Sequence, residues 1–307
     1  MEKTSFFKLS MIGSTIYLFL SLLLIILYRS CQPDIGFSQE LFWHYLNSVS
    51  LLDSFFLYQF FEALWLFGLL TLFLHFNNIY LVNKHNVLLL LLLILVYSGI
   101  TFCIWRSIDT YIDELSSSSQ SVLCYSAFIF LHYIFYSLLL YYLVELSKKY
   151  FLKNRQVFCL TSENSSLIHA ILFLAFICPI LYSGFEIIEN LIMVLGHGSV
   201  NRDLKFTFIL FILFCMRVSK KNFMISFDEI QYARLFKSVF VSSVLLLLNV
   251  LICLLLRGES RSFYFDYSSL ILDYVKLFFL VVFFLLLTYL IFNKVTKYYF
   301  LKFDNKK

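Results

Sequence analysis

Apolar residues in this chain gather in runs of about twenty, separated by short polar stretches. The last run, 270–292, reads LILDYVKLFFLVVFFLLLTYLIF and is followed at once by Asn293, Lys294 and Lys297. At 1.5 Å per residue a helix of this length covers about 35 Å, enough for the ~30 Å hydrocarbon core of a bilayer. The design recurs: a long Phe/Leu helix with polar groups at one end and Lys or Arg at the other. Runs at 11–28, 54–76, 87–105, 122–144, 167–190, 204–218, 238–256 and 270–292 predict about eight transmembrane helices joined by short loops. The expected fold is an all-α polytopic membrane helix bundle, a single transmembrane domain covering 1–307.

Two runs need a decision. The first follows Lys3 and Lys8 as a signal peptide would. Its apolar stretch is too long for one, and Tyr28-Arg29-Ser30-Cys31 is not a small-x-small cleavage site, so it reads as an uncleaved first span. Between Lys205 and Arg217 stand only eleven uncharged residues, 206–216. They give about 16 Å of helix, the range in which buried or re-entrant segments compete with true spans. Charge decides. With eight crossings, one set of sides (the N-terminus, Lys84, the loops 145–166 and 217–237, and the C-terminal tail) holds seventeen Lys and Arg against six on the other. That is a strong positive-inside bias placing both termini in the cytoplasm. Removing the short span would reverse much of it, so it is kept as a crossing with snorkelling Lys205 and Arg217. Residues 29–53 read as a polar loop with a short interfacial helix near 41–45. The Ser-rich loop 106–121 reads as mobile.

Composition supports this picture. Of 307 residues, 61% are hydrophobic and only 14% charged, with mean hydropathy +0.84. Soluble domains run nearer half apolar and a quarter charged. Eight Gly and two Pro leave few sequence-encoded helix breaks. The net charge of +5 is explained by topology rather than by nucleic acid. Seven Cys without CxxC or Cys/His spacing indicate neither zinc nor a redox motif. There is no Walker A, GxSxG, HExxH or Gly-rich dinucleotide loop, so the sequence calls for no cofactor and no metal.

Charge inside a span is costly, about 2.5–3.5 kcal/mol at the centre on insertion scales, and normally faces a bundle interior or wet cavity. Threaded through the topology, Glu62, Glu186, Glu189, Asp273 and Lys276 fall at similar depth on the outer side, and they form the candidate polar site. Glu186 and Glu189 share a helix face, as do Asp273 and Lys276. Lys276 is expected to pair with Asp273 or with a carboxylate of another span. The competing reading is that these groups mark helix ends and reach interfacial water. His132, in the fourth span, is a packing residue or a proton relay. His169 reads as interfacial, Asn249 as helix–helix glue, and Pro179 as a kink in the fifth span. Trp43, Trp65 and Trp105 fall at the outer interface as an aromatic belt.

Three function classes stay open. The first is movement of a small solute or ion through an outward-facing polar site. The second is a non-transport membrane interaction protein: a sensor, an immunity factor or a subunit of a complex. The third is an intramembrane enzyme acting on a lipid-linked substrate. An enzyme is the least favoured. The expected partners are the lipid bilayer and a membrane protein or second copy of the chain, without nucleic acid. The expected location is a plasma or bacterial inner membrane. In intact cells, tags fused to either end should be inaccessible from outside; a C-terminal tag labelled externally would remove the eight-span topology.

Overall fold

The structure, a computed structural model, describes residues 5–32, 36–48, 54–114, 119–154, 162–194, 213, 215–217, 220–223, 230–257 and 267–300. Nearly all of them are helical. In chain order they form α1 (Ser5–Ser30), a two-residue strand pair β1 (Cys31–Gln32) and β2 (Gly36–Phe37), and α2 (Gln39–Ser48). Then follow α3 (Ser54–Phe76), α4 (Lys84–Glu114), α5 (Ser119–Ser147), α6 (Ser162–Val194), a 3₁₀ turn (Lys220–Phe223), α7 (Tyr232–Arg257) and α8 (Tyr267–Phe300). Seven helices among the described residues are long and apolar enough to cross a membrane: α1 and α3 to α8. They are compatible with an integral membrane protein and coincide with seven of the eight expected runs. The run 204–218 lies outside the described residues, except for Leu213 and residues 215–217, which are helical.

The helices outrun their apolar cores. α4 continues to Glu114 and α5 starts at Ser119, so the expected loop 106–121 is largely helix. The reason is local: Arg106, Asp109 and Asp113 end the apolar run, yet no Gly or Pro follows to end the helix. The expected interfacial helix exists as α2, opened by Ser38, whose hydroxyl accepts from the Leu41 N–H at 3.4 Å. The antiparallel pairing of Cys31 with Phe37 just before it had no sequence signature.

Two compact units divide the chain, Met1–Phe158 and Cys159–Lys307. In the first, α1 packs on α3 and α4, and α5 packs on α4 and α3. Gly13 lets α1 approach closely, since a Cβ there would stand 2.8 Å from Leu70 and 3.1 Å from Leu90. In the second, α7 lies between α6 and α8, and the 3₁₀ turn seats against both α6 and α8. Gly184 permits the α6–α7 approach, because a Cβ there would come within 2.5 Å of Leu247. Buried Phe173 meets the rings of Phe223 and Phe292, tying the turn and α8 to α6. Outward-facing Phe19, Leu88, Phe240, Phe278 and Phe279 are mostly exposed, as lipid-facing residues would be.

One end of the first unit is closed by side-chain amides. α3 stops in a left-handed Asn78 (φ 55), with Ile79 N–H donating to the Leu74 carbonyl and Asn78 N–H to His75. This is a Schellman cap with Asn in the place usually held by Gly. Asn83 then caps α4, its side chain accepting from the Asn86 N–H at 2.7 Å. Asn86 itself is fully buried. It donates to the carbonyls of Leu81 (2.8 Å) and Leu152 (3.0 Å) and accepts from the Leu152 N–H (2.9 Å). Asn154 adds two more ties, donating its N–H to Asn78 and accepting from the Tyr80 N–H. The Tyr80 hydroxyl contacts His75 Nδ1, and burial pushes this phenol above its ordinary pKa.

The segment after α5 is thus fastened to the α3–α4 turn through buried amides. Asn86→Ala strands three backbone groups in an apolar setting and should lower unfolding stability in micelles by about 2–3 kcal/mol. Ser107→Ala, at an exposed position, should change it by under about 0.5 kcal/mol. Equal effects of the two substitutions would show that the junction is not a fastening.

Candidate functional site

The polar centre of the first unit is Glu62. A carboxylate this far into α3 needs partners, and two neighbouring helices supply them. Glu62 is only 9% exposed. Its Oε2 accepts a hydrogen bond from the Tyr17 hydroxyl of α1 at 2.9 Å. Its Oε1 lies 3.6 Å from Nε2 of His132 on α5. Buried Tyr97 of α4 and Tyr136 of α5 stack edge on, with ring centres 6.3 Å apart, and Tyr97 also meets Tyr17.

His132 is the more informative partner. Its Nδ1 is 2.7 Å from the Ile129 carbonyl, a geometry only an Nδ1–H can use. In the neutral imidazole Nε2 then carries a lone pair, and it points at another acceptor, the Glu62 carboxylate. The arrangement is favourable when one proton resides on the pair, as carboxylic acid and imidazole or as carboxylate and imidazolium.

Beside it opens a small cleft of about 30 Å³. The lining follows helical spacing: Tyr17, Ser21 and Leu24 on α1, Tyr58, Gln59 and Glu62 on α3, and Ser98, Thr101 and Trp105 on α4. Apart from the adjacent Tyr58 and Gln59, these positions are three, four or seven apart within each helix, so each helix turns one narrow face to the same space. Of the Trp residues assigned to an interfacial belt, Trp105 lines this cleft and Trp65 donates to the Ser137 hydroxyl at 3.1 Å.

Glu62 and His132, named separately from sequence, are thus brought together. Tyr17, Gln59, Ser98 and Thr101 were missed. Their signal lay in polar pairs at helical spacing inside apolar runs, Tyr17/Ser21, Gln59/Glu62 and Ser98/Thr101, each easily dismissed as a small tolerated polar residue.

The other named residues stand in the second unit. Glu186 is half-buried on α6. Glu189 shares that helix, and Asp273 and Lys276 stand on α8, but the side chains of these three lie outside the described residues. Pro179 is buried within α6, which is helical on both sides of it. Asn249 of α7 donates across to Thr288 Oγ1 (3.2 Å) and to the Phe284 carbonyl (3.3 Å) of α8. Asn222 of the 3₁₀ turn donates to Asn293 and Thr296, each at 3.0 Å.

His169 is fully buried within the second unit. Its Nδ1 bonds the Ser165 carbonyl at 2.7 Å, and its Nε2 accepts from the Gln231 N–H at 3.1 Å. It thereby satisfies a free donor at the start of α7, which is why a polar ring is tolerated at that depth.

Among the described residues no three His, Cys, Asp or Glu gather at metal-binding distance. No family model, curated protein or solved structure matches the chain.

If the Tyr17 hydroxyl supports the Glu62 carboxyl, a double-mutant cycle of Tyr17→Phe with Glu62→Leu should show coupling of about 1–2 kcal/mol in unfolding stability. Additive effects would remove Tyr17 from the site.

Proposed function

We propose that the chain is an integral membrane protein that moves a small solute or ion, with the cleft around Glu62 as its outward-facing binding site. One observation carries this reading: a buried carboxylate, with a buried imidazole nitrogen 3.6 Å away, stands at the wall of an open cleft within a bundle of apolar helices. A carboxylate kept only for packing would be sealed off from open space. Here the costly group and the open space coincide, the usual mark of an ion or substrate pathway.

The positive-inside topology gives the cleft a direction. α3 enters from outside, with Glu62 in its outer half. Ser98 to Trp105 occupy the outer part of α4, and Ser21 to Ile25 the outer part of α1. Entry would therefore be from the external side. Glu186, Glu189, Asp273 and Lys276 belong to the same proposal as polar groups of the second unit at comparable depth. The membrane is a plasma or bacterial inner membrane with both termini cytoplasmic.

The test is flux. Purified protein in liposomes should pass protons, alkali cations or small amines faster than empty liposomes. Glu62→Gln should cut that flux by about tenfold, the equivalent of losing about 1.4 kcal/mol at one charged contact. If wild type passes none of these solutes, or if the variant passes them equally, the reading is rejected. A sensor or complex subunit would then take its place.

A further inference from the structure

The cleft wall is polar in a one-sided way. Four hydroxyl groups on it spend their hydrogens on the protein itself. Tyr17 donates to Glu62 Oε2 (2.9 Å), Ser21 to the Leu18 carbonyl (3.0 Å), Thr101 to Tyr97 (3.0 Å) and Tyr136 to Thr101 (3.3 Å). What each can offer an incoming ligand is its oxygen lone pairs. Two further lining groups are buried and unsatisfied among the described residues: Gln59 Oε1 and Ser98 Oγ, on side chains 4% and 3% exposed. Gln59 lies one helical turn before Glu62 and so shares its face. The lining contains one carboxylate and no Lys or Arg. The rest of the wall is largely aromatic, with Tyr58, Phe102 and Trp105 among the rings.

These features specify a ligand. An anion would meet a carboxylate and no cation. A neutral alcohol would leave the carboxylate unanswered. A quaternary ammonium would suit the rings but, lacking N–H, would leave Gln59 and Ser98 unsatisfied, a cost of about 1–3 kcal/mol per buried group. A primary ammonium carries three N–H donors and a positive charge on an apolar stem. Resting on the reading of this cleft as a solute site, we propose that it binds a small primary ammonium, R–NH3+. The charge pairs with the Glu62 carboxylate, the N–H donors satisfy Glu62, Gln59 and Ser98, and the carbon stem lies against the aromatic wall.

The experiment is calorimetric titration of the full chain in nanodiscs with n-butylammonium, tetramethylammonium, potassium and butan-1-ol. Butylammonium should bind, and the other three should bind at least about tenfold more weakly, a gap of about 1.4 kcal/mol. Glu62→Gln should weaken butylammonium by a similar factor. Ser98→Ala removes a single hydroxyl and so keeps the fold readable; it should weaken butylammonium severalfold while leaving tetramethylammonium unchanged. Absence of butylammonium binding, equal binding of tetramethylammonium or potassium, or indifference to both substitutions would overturn the assignment. Alkali-ion flux without butylammonium binding would overturn this inference and leave the transport reading standing. Butylammonium binding without flux of any solute would do the reverse.

Discussion

A polar side chain inside an apolar helix has no water within reach, so it must find its partner inside the protein. This constraint organises the whole chain. Most of the hydroxyls meet it locally. Thr71, Thr101, Ser137, Ser147 and Thr296 each donate to the carbonyl four residues earlier in their own helix. Such bonds cost the fold little and join nothing to anything. Amides and imidazoles carry a second polar atom that one such local bond leaves over. Asn86, Asn222, Asn249 and His169 reach across to other segments, and the helices are fastened where they do.

The same constraint is met unevenly. At Asn86 and His169 the available donors and acceptors are spent, and the helices there are close-packed. Around Glu62 they are not: Gln59 Oε1 and Ser98 Oγ remain over, and the space beside them is open. The coincidence of these acceptors with a carboxylate and open space sets the surroundings of Glu62 apart from those two junctions. Aromatic density alone does not, since rings crowd both units.

Much of the architecture was legible because the membrane-length period of apolar runs is a strong signal that tertiary contacts do not override. Seven helices stand where those runs predicted them. Their ends were less legible, because α4 and α5 continue into polar residues that suit a helix as well as a loop. Glu62 and His132 each stood out as costly residues in apolar runs. Their pairing could not be read, because they stand seventy positions apart in the chain and no periodicity links separate helices. Tyr17 was hidden for another reason: a Tyr in a Phe-rich helix looks like one more ring until a carboxylate is placed opposite it. The contact of His169 with the start of α7 was hidden too, because its place near a helix start says nothing about the neighbour that buries it.

The amide junction of the first unit lies at one end of its helices, near Phe76 of α3, Lys84 of α4 and Ser147 of α5. The cleft lies toward the other end. From Phe76 to Glu62 is about 20 Å along the helix. The three helices are therefore fastened through backbone and amide groups at one end, while toward the other end their joints, Trp65 to Ser137 and Tyr136 to Thr101, start from side chains. Rigid fastening and open space thus stand at opposite ends of the same helices.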